Sequence, residues 1–167
     1  MEPPLKLHKL IRPERICFLN ETQRVAAIER LVDHACRLGL AKDRKAFEAA
    51  VLERERITTT GIGMGAAIPH ARLAGVSDFF IILGVAANPV IWNAADGLPV
   101  TTIFLVCGPE TPSGDREKSR LATLYLRIIA RLMLLIKSPL YREGLTGANR
   151  ADAIFKLIRE FDNTDGK

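Results

Sequence analysis

The amino-acid sequence predicts an α/β layered domain. Two observations carry this. Short apolar, β-branched runs alternate with longer segments whose apolar residues recur at helical spacing, which leaves helices available for both faces of a sheet. No internal repeat, low-complexity tract or linker interrupts the 167 residues, enough for one substantial core. Residues 1–167 therefore read as a single domain, with 1–8 and 163–167 expected as flexible ends.

The elements follow in order. Ile16 to Leu19 is a short apolar strand. Asn20 is expected to cap the first helix, with Gln23 as its capping-box partner. Val25, Ile28, Leu31, Val32, Ala35, Cys36 and Leu38 form its apolar face, and Gly39 stops it. Asp43 caps a second helix to about Arg54, with Phe47, Ala50, Val51 and Leu52 apolar. Three core strands follow: Ala66 to His70, Phe79 to Val85 and Thr101 to Cys107. Asn93 to Gly97 is a turn cluster between the last two. After Pro112-Ser113-Gly114 a long helix runs from about Asp115 to Lys137. Ser138-Pro139 reads as an N-cap followed by proline at the first helical position, and a last helix spans about Arg150 to Phe161.

Composition removes several function classes. The net charge is +5, but basic residues alternate with acids, as in Glu53-Arg54-Glu55-Arg56 and Asp115-Arg116-Glu117-Lys118. That is the pattern of solvated helix faces, not of a nucleic-acid stripe. No apolar run is long enough to span a bilayer, and residues 1–8 lack a hydrophobic signal core, so a cytoplasmic location is expected. Cys17, Cys36 and Cys107 are an odd set without close spacing and read as buried thiols, with neither a disulfide framework nor a zinc site. His8 and His34 belong to the flexible start and a helix and fit no ligand set with His70. No metal or other cofactor is expected.

The chemistry concentrates in Thr58 to Arg72. Gly61, Gly63 and Gly65 permit tight turns and close approach. Pro69 fixes its own φ and biases Ile68 toward extended geometry, so His70 leaves a stiff segment beside a glycine-rich loop. Such a histidine suits a nucleophile that accepts a charged group and passes it on. The loop is no dinucleotide fingerprint, because a helix precedes it and an extended segment follows. No nucleophile elbow or Walker loop occurs either.

The run Arg54-Glu55, Thr60-Gly61-Ile62-Gly63 and Ala67-Ile68-Pro69-His70 resembles the active-site segment of the fructose/mannitol-type enzyme IIA proteins of the phosphoenolpyruvate:sugar phosphotransferase system, which include the nitrogen-regulatory IIA. The resemblance extends to Ile11-Arg12-Pro13-Glu14, Asp43 to Phe47, Asp96 to Val100 and Leu126 to Leu132, and so covers almost the whole chain. It implies a central mixed sheet with helices on both faces. It also implies a phosphocarrier that takes a phosphoryl group on His70 from an HPr-like protein. The group then passes to a IIB domain, or its presence controls a regulated target protein; a single IIA domain favours the regulatory branch. The runner-up is a non-catalytic regulatory module that keeps the fold with little transfer.

By the same resemblance Arg54 faces the phosphoryl group, the alternative being a solvated arginine at a helix end. Thr59, Thr60, Gly61 and Gly63 would offer hydroxyl and N–H donors, or merely shape a turn. The family's second histidine, which starts its Leu-x-x-Leu-Ala-x-Leu helix motif, falls at Tyr125 here, after a stretch Gly108 to Thr123 that is several residues longer than usual. A tyrosine hydroxyl can bond a phosphoryl oxygen but carries no positive charge. The other reading of Tyr125 is a partly packed helix residue.

Overall fold

A computed structural model describes residues 3–110 and 114–164. Two short 3-10 turns, Leu7–Lys9 and Pro13–Arg15, lead into β1 (Ile16–Leu19), α1 (Arg24–Arg37) and α2 (Arg44–Ile57). Then come β2 (Gly61–Gly63), β3 (Ala66–Ala67), β4 (His70–Leu73), β5 (Phe80–Val90) and β6 (Val100–Pro109). The helices α3 (Asp115–Lys137), α4 (Pro139–Gly147) and α5 (Ala151–Asn163) complete the chain. Pro112 and Ser113, read as the approach to α3, lie outside the described residues.

The sheet is mixed. Its order is β1-β5-β6-β3-β2, with β4 also paired to β6. β1 runs parallel to β5, and β3 and β4 run parallel to β6; β5 is antiparallel to β6, and β2 to β3. Side chains alternate between the faces. Phe80, Ile82, Ile103, Leu105 and Cys107 join Ile28, Leu31, Phe47 and Val51 beneath α1 and α2. Ile81, Leu83, Phe104 and Val106 join Ile128, Leu132, Leu145 and Ile158 beneath α3, α4 and α5. Helices thus cover both faces, as expected.

Several boundaries move, each for a local reason. The capping box at Asn20 does not form. Residues up to Gln23 stay extended because Thr22 accepts the Ile91 N–H (2.9 Å) and Gln23 bridges to Ile91, so α1 starts at Arg24. Val25 and Leu38, expected on its buried face, are exposed. Its C-terminus is as read: Gly39 has φ +75°, with Gly39 N–H to Cys36 O (3.0 Å) and Leu40 N–H to Ala35 O (3.1 Å) closing a Schellman turn. Asp43 accepts the Ala46 N–H at 3.0 Å, and α2 runs three residues past Arg54. β5 continues past Val85 to Val90 through a register shift that accommodates Pro89. Cys17 and Cys107 are buried and Cys36 only partly so; all three are free thiols.

The expected flexible start is corrected at residues 6–8. Leu7 is fully buried, and the carboxylate of Asp162, also fully buried, accepts the N–H groups of Leu7 (3.0 Å) and His8 (2.8 Å). His8 Nδ1 lies 2.6 Å from the same carboxylate, and Lys6 Nζ donates to the Asp162 carbonyl (2.7 Å). Arg131, itself buried, approaches Asp162 Oδ1 to 3.7 Å and lies over the Phe161 ring. At the other end Asn163 closes α5 and Thr164 caps it through the Phe161 carbonyl; residues 165–167 lie outside the description.

Candidate functional site

The strand expected at Ala66 to His70 is one extended path cut in two. Ala67 pairs with Ile103 and His70 with Val106, so the register against β6 is unbroken from β3 to β4. Pro69 has no N–H to give, which interrupts the ladder, while its carbonyl still accepts the Val106 N–H (2.9 Å). Alternation along this path sets His70 on the α3 side, with Ala66 and Ile68, and turns Ala67 and Ala71 toward α1 and α2. Arg72, two residues on, shares the face of His70.

His70 is half-buried, and its Nδ1 lies 3.0 Å from the Ile68 carbonyl oxygen. A carbonyl only accepts, so Nδ1 carries the proton and Nε2 keeps its lone pair. Burial lowers the pKa below the ordinary histidine value of 6.5; the Ile68 hydrogen bond opposes this, Arg54 and Arg72 push further down, and Glu55 pulls back. The ring is therefore neutral near pH 7.

Tyr125, from α3, meets this ring: the centroids are 5.1 Å apart at a 59° tilt. Phe79 packs against Tyr125 (6.3 Å between ring centroids), and Phe79 itself presses on Gly108, where a Cβ would fall 2.2 Å from its ring. Burial pushes the Tyr125 hydroxyl up to about 12, against the pull of Arg54 and Arg72, so it remains a donor. The Arg72 guanidinium stands 5.4 Å from the Tyr125 ring centroid in cation–π geometry. Arg54 arrives from the last turns of α2, in the other helical layer, with one guanidinium N–H on the Thr58 carbonyl (2.9 Å).

The structure puts the His70 and Tyr125 rings in contact and sets Arg54 where its charge acts on both. For Thr59 and Thr60 the expected donor role is corrected: their donors serve a carboxylate inside the protein. Glu55, buried on α2, accepts the Thr60 N–H (3.0 Å), the Thr60 hydroxyl, the Thr59 hydroxyl (3.2 Å) and the Trp92 indole N–H (3.0 Å). Arg24 stands 3.7 Å from the same carboxylate and donates to the Trp92 carbonyl. The Gly61 N–H goes to the Thr59 hydroxyl oxygen (3.1 Å). Gly63 opens a hairpin turn in which Gly63, Met64 and Gly65 all have positive φ, and Asp96 holds that turn through the Met64 N–H (3.1 Å). The glycines seat a hairpin on the start of β6, where Gly65 O accepts the Thr101 N–H (2.8 Å).

Glu55, Trp92 and Arg72 have no role in the sequence reading. For Arg72 a signal existed: i, i+2 spacing from His70 on an extended segment. For Glu55 the signal was its place four residues after Val51 on the buried stripe of α2. Among the described residues no group of three His, Cys, Asp or Glu side chains could hold a metal ion, and no helix is long and apolar enough to cross a membrane.

A mixed α/β sandwich holds a neutral histidine on a broken strand, within reach of the charges of Arg54 and Arg72; in the family to which this chain belongs, that is a phosphocarrier domain. The chain belongs to the family described as phosphoenolpyruvate-dependent sugar phosphotransferase system, EIIA 2, whose family model matches residues 9–161. It is 29% identical over 150 residues to the nitrogen regulatory protein of Bradyrhizobium diazoefficiens, covering 89% of this chain and 92% of that protein. It is also 29% identical over 159 residues to the PTS system fructose-specific EIIABC component of Bacillus subtilis; that match takes in 95% of this chain but spans 24% of the longer protein. Among solved structures, the nitrogen regulatory protein IIA-Ntr from Neisseria meningitidis shares the fold, with a TM-score of 0.78 at 22% identity over 90% of this chain and 97% of that one.

Proposed function

We propose that this domain carries its phosphoryl group on His70 Nε2, received in the cytoplasm from an HPr-like phosphocarrier. The observation that carries the reading is the Nδ1–H bond to the Ile68 carbonyl, which leaves Nε2 unprotonated on a ring that stands against Tyr125. The Nε2 lone pair forms the new N–P bond while the donor's N–P bond breaks and its electron pair returns to the donor ring. No proton moves at His70, because Nδ1 keeps its own. Held that way, His70 leaves as a neutral imidazole when the group moves on. Arg54 meets charge on the phosphoryl oxygens, and the Tyr125 hydroxyl donates to one of them. Glu55, with Thr59 and Thr60 around it, fixes the end of α2 and so the place of Arg54.

The onward step is either transfer to a IIB domain or control of a target protein by phosphorylation state. Similarity to a nitrogen regulatory protein along nearly the full length of both chains supports the regulatory branch. Incubation with phosphoenolpyruvate, enzyme I and HPr should add one acid-labile phosphoryl group by mass, and His70→Ala should abolish it. Labelling that survives in the variant would overturn the assignment. No labelling of the intact protein would favour a non-catalytic regulatory module.

A further inference from the structure

We propose that Arg72 is a second cation on the phosphoryl group, held over the Tyr125 ring so that arginine and tyrosine together fill the place of a second site histidine. The inference deepens the reading of His70 as the acceptor and rests on it. Three observations carry it. β4 pairs His70 and Arg72 with successive same-face positions of β6, Val106 and Gly108, so both side chains leave the strand toward α3. The Arg72 guanidinium and the His70 imidazole contact the same aromatic ring, at 5.4 and 5.1 Å from its centroid. That ring is braced by Phe79, which only a glycine at 108 admits. The tyrosine is therefore a fixed wall along which a flexible arginine is laid.

The charge of Arg72 is felt at both His70 and Tyr125, as is that of Arg54. The two guanidiniums come from opposite sides of the sheet, Arg54 from α2 and Arg72 from the strand face beneath α3. A phosphoryl group on Nε2 would meet both. Unlike a histidine, this arrangement keeps its positive charge across the whole physiological pH range, because a guanidinium does not deprotonate there.

The test separates this inference from the donor question by phosphorylating the protein chemically with phosphoramidate and following phospho-His70 by 31P NMR as pH is varied. A nearby fixed cation lowers the pH at which the phosphoryl group takes up a proton. Arg72→Gln should raise that midpoint by roughly half a unit to one unit, Arg72→Lys should restore most of the shift, and Arg116→Gln, on the exposed first turn of α3, should leave it in place. Circular dichroism of each variant checks folding, and Arg72→Lys keeps the test open if Arg72→Gln does not fold. Coincident titrations of Arg72→Gln and the parent would overturn the proposal, as would a Lys variant displaced as far as the Gln variant. If phosphoramidate modifies His8 or His34 but never His70, the acceptor assignment fails instead.

Discussion

At the scale of single residues, the decisive contact is between His70 and the Ile68 carbonyl. It selects the tautomer, and burial keeps the ring neutral. Because the shift is downward, the nucleophilic form persists as pH falls through 6.5 and is lost only below it. The His70 ring protons should titrate by NMR with a midpoint under 6.5; a midpoint at or above that value would contradict the burial argument. Arg54→Ala should slow phosphoryl transfer by roughly 10²-fold if its charge meets the transition state. Tyr125→Phe should slow it only modestly, about one hydrogen bond's worth or ~1 kcal/mol, and Tyr125→His should preserve or raise the rate. Rapid-quench kinetics of the three variants would check the order; indifference to all three would remove both residues from the site. The places of His70, Arg54 and Tyr125 on β4, α2 and α3 were legible because motif and helix register fix them. The fate of the Thr60 and Gly61 donors was not. A sequence shows that donors exist, but only the folded chain shows that Glu55 has taken those of Thr60 and the Thr59 hydroxyl oxygen that of Gly61.

At the scale of elements, long periodic segments read true: α3 begins and ends at the residues its apolar periodicity and flanks indicate. Short pieces shifted where a neighbour intervened. Ile91 holds residues 22 and 23 extended and shortens α1, and Pro69 divides the motif strand. The glycine run behaves as a packed hairpin. At Gly61 an added Cβ would lie 2.7 Å from both Ala94 Cα and the Trp92 ring. Backbone cannot yield there as a side-chain end can. Gly61→Ala should therefore destabilise the fold by about 1–3 kcal/mol and shift the Glu55 network with it. Thermal unfolding and the transfer rate, measured together, should both fall; an unchanged melting temperature would mean the hairpin is looser than it looks.

At the scale of the whole molecule, two helical layers enclose one sheet, and residues 6–8 meet Asp162 of α5 on the α3–α5 side. Alternation of the apolar strands foretold the layers. This meeting was not foretold, since Asp162 in its sequence context is one more charge on an amphipathic helix. Asp162→Ala would leave two backbone N–H groups and a buried arginine without their carboxylate, and should lower stability by about 3–5 kcal/mol. Asp162→Asn, which keeps an acceptor, should lose less. Urea unfolding of both would rank them, and equal losses would show that acceptor and charge are not separable there. Leu7 and Ile11 reach their buried places only when α5 lies against them, and residue 162 is translated more than 150 positions after Leu7. On the ribosome, one flank of the domain therefore stays unsealed until α5 has been made and has emerged. Until then the nascent chain shows bare leucine and isoleucine that a chaperone can hold.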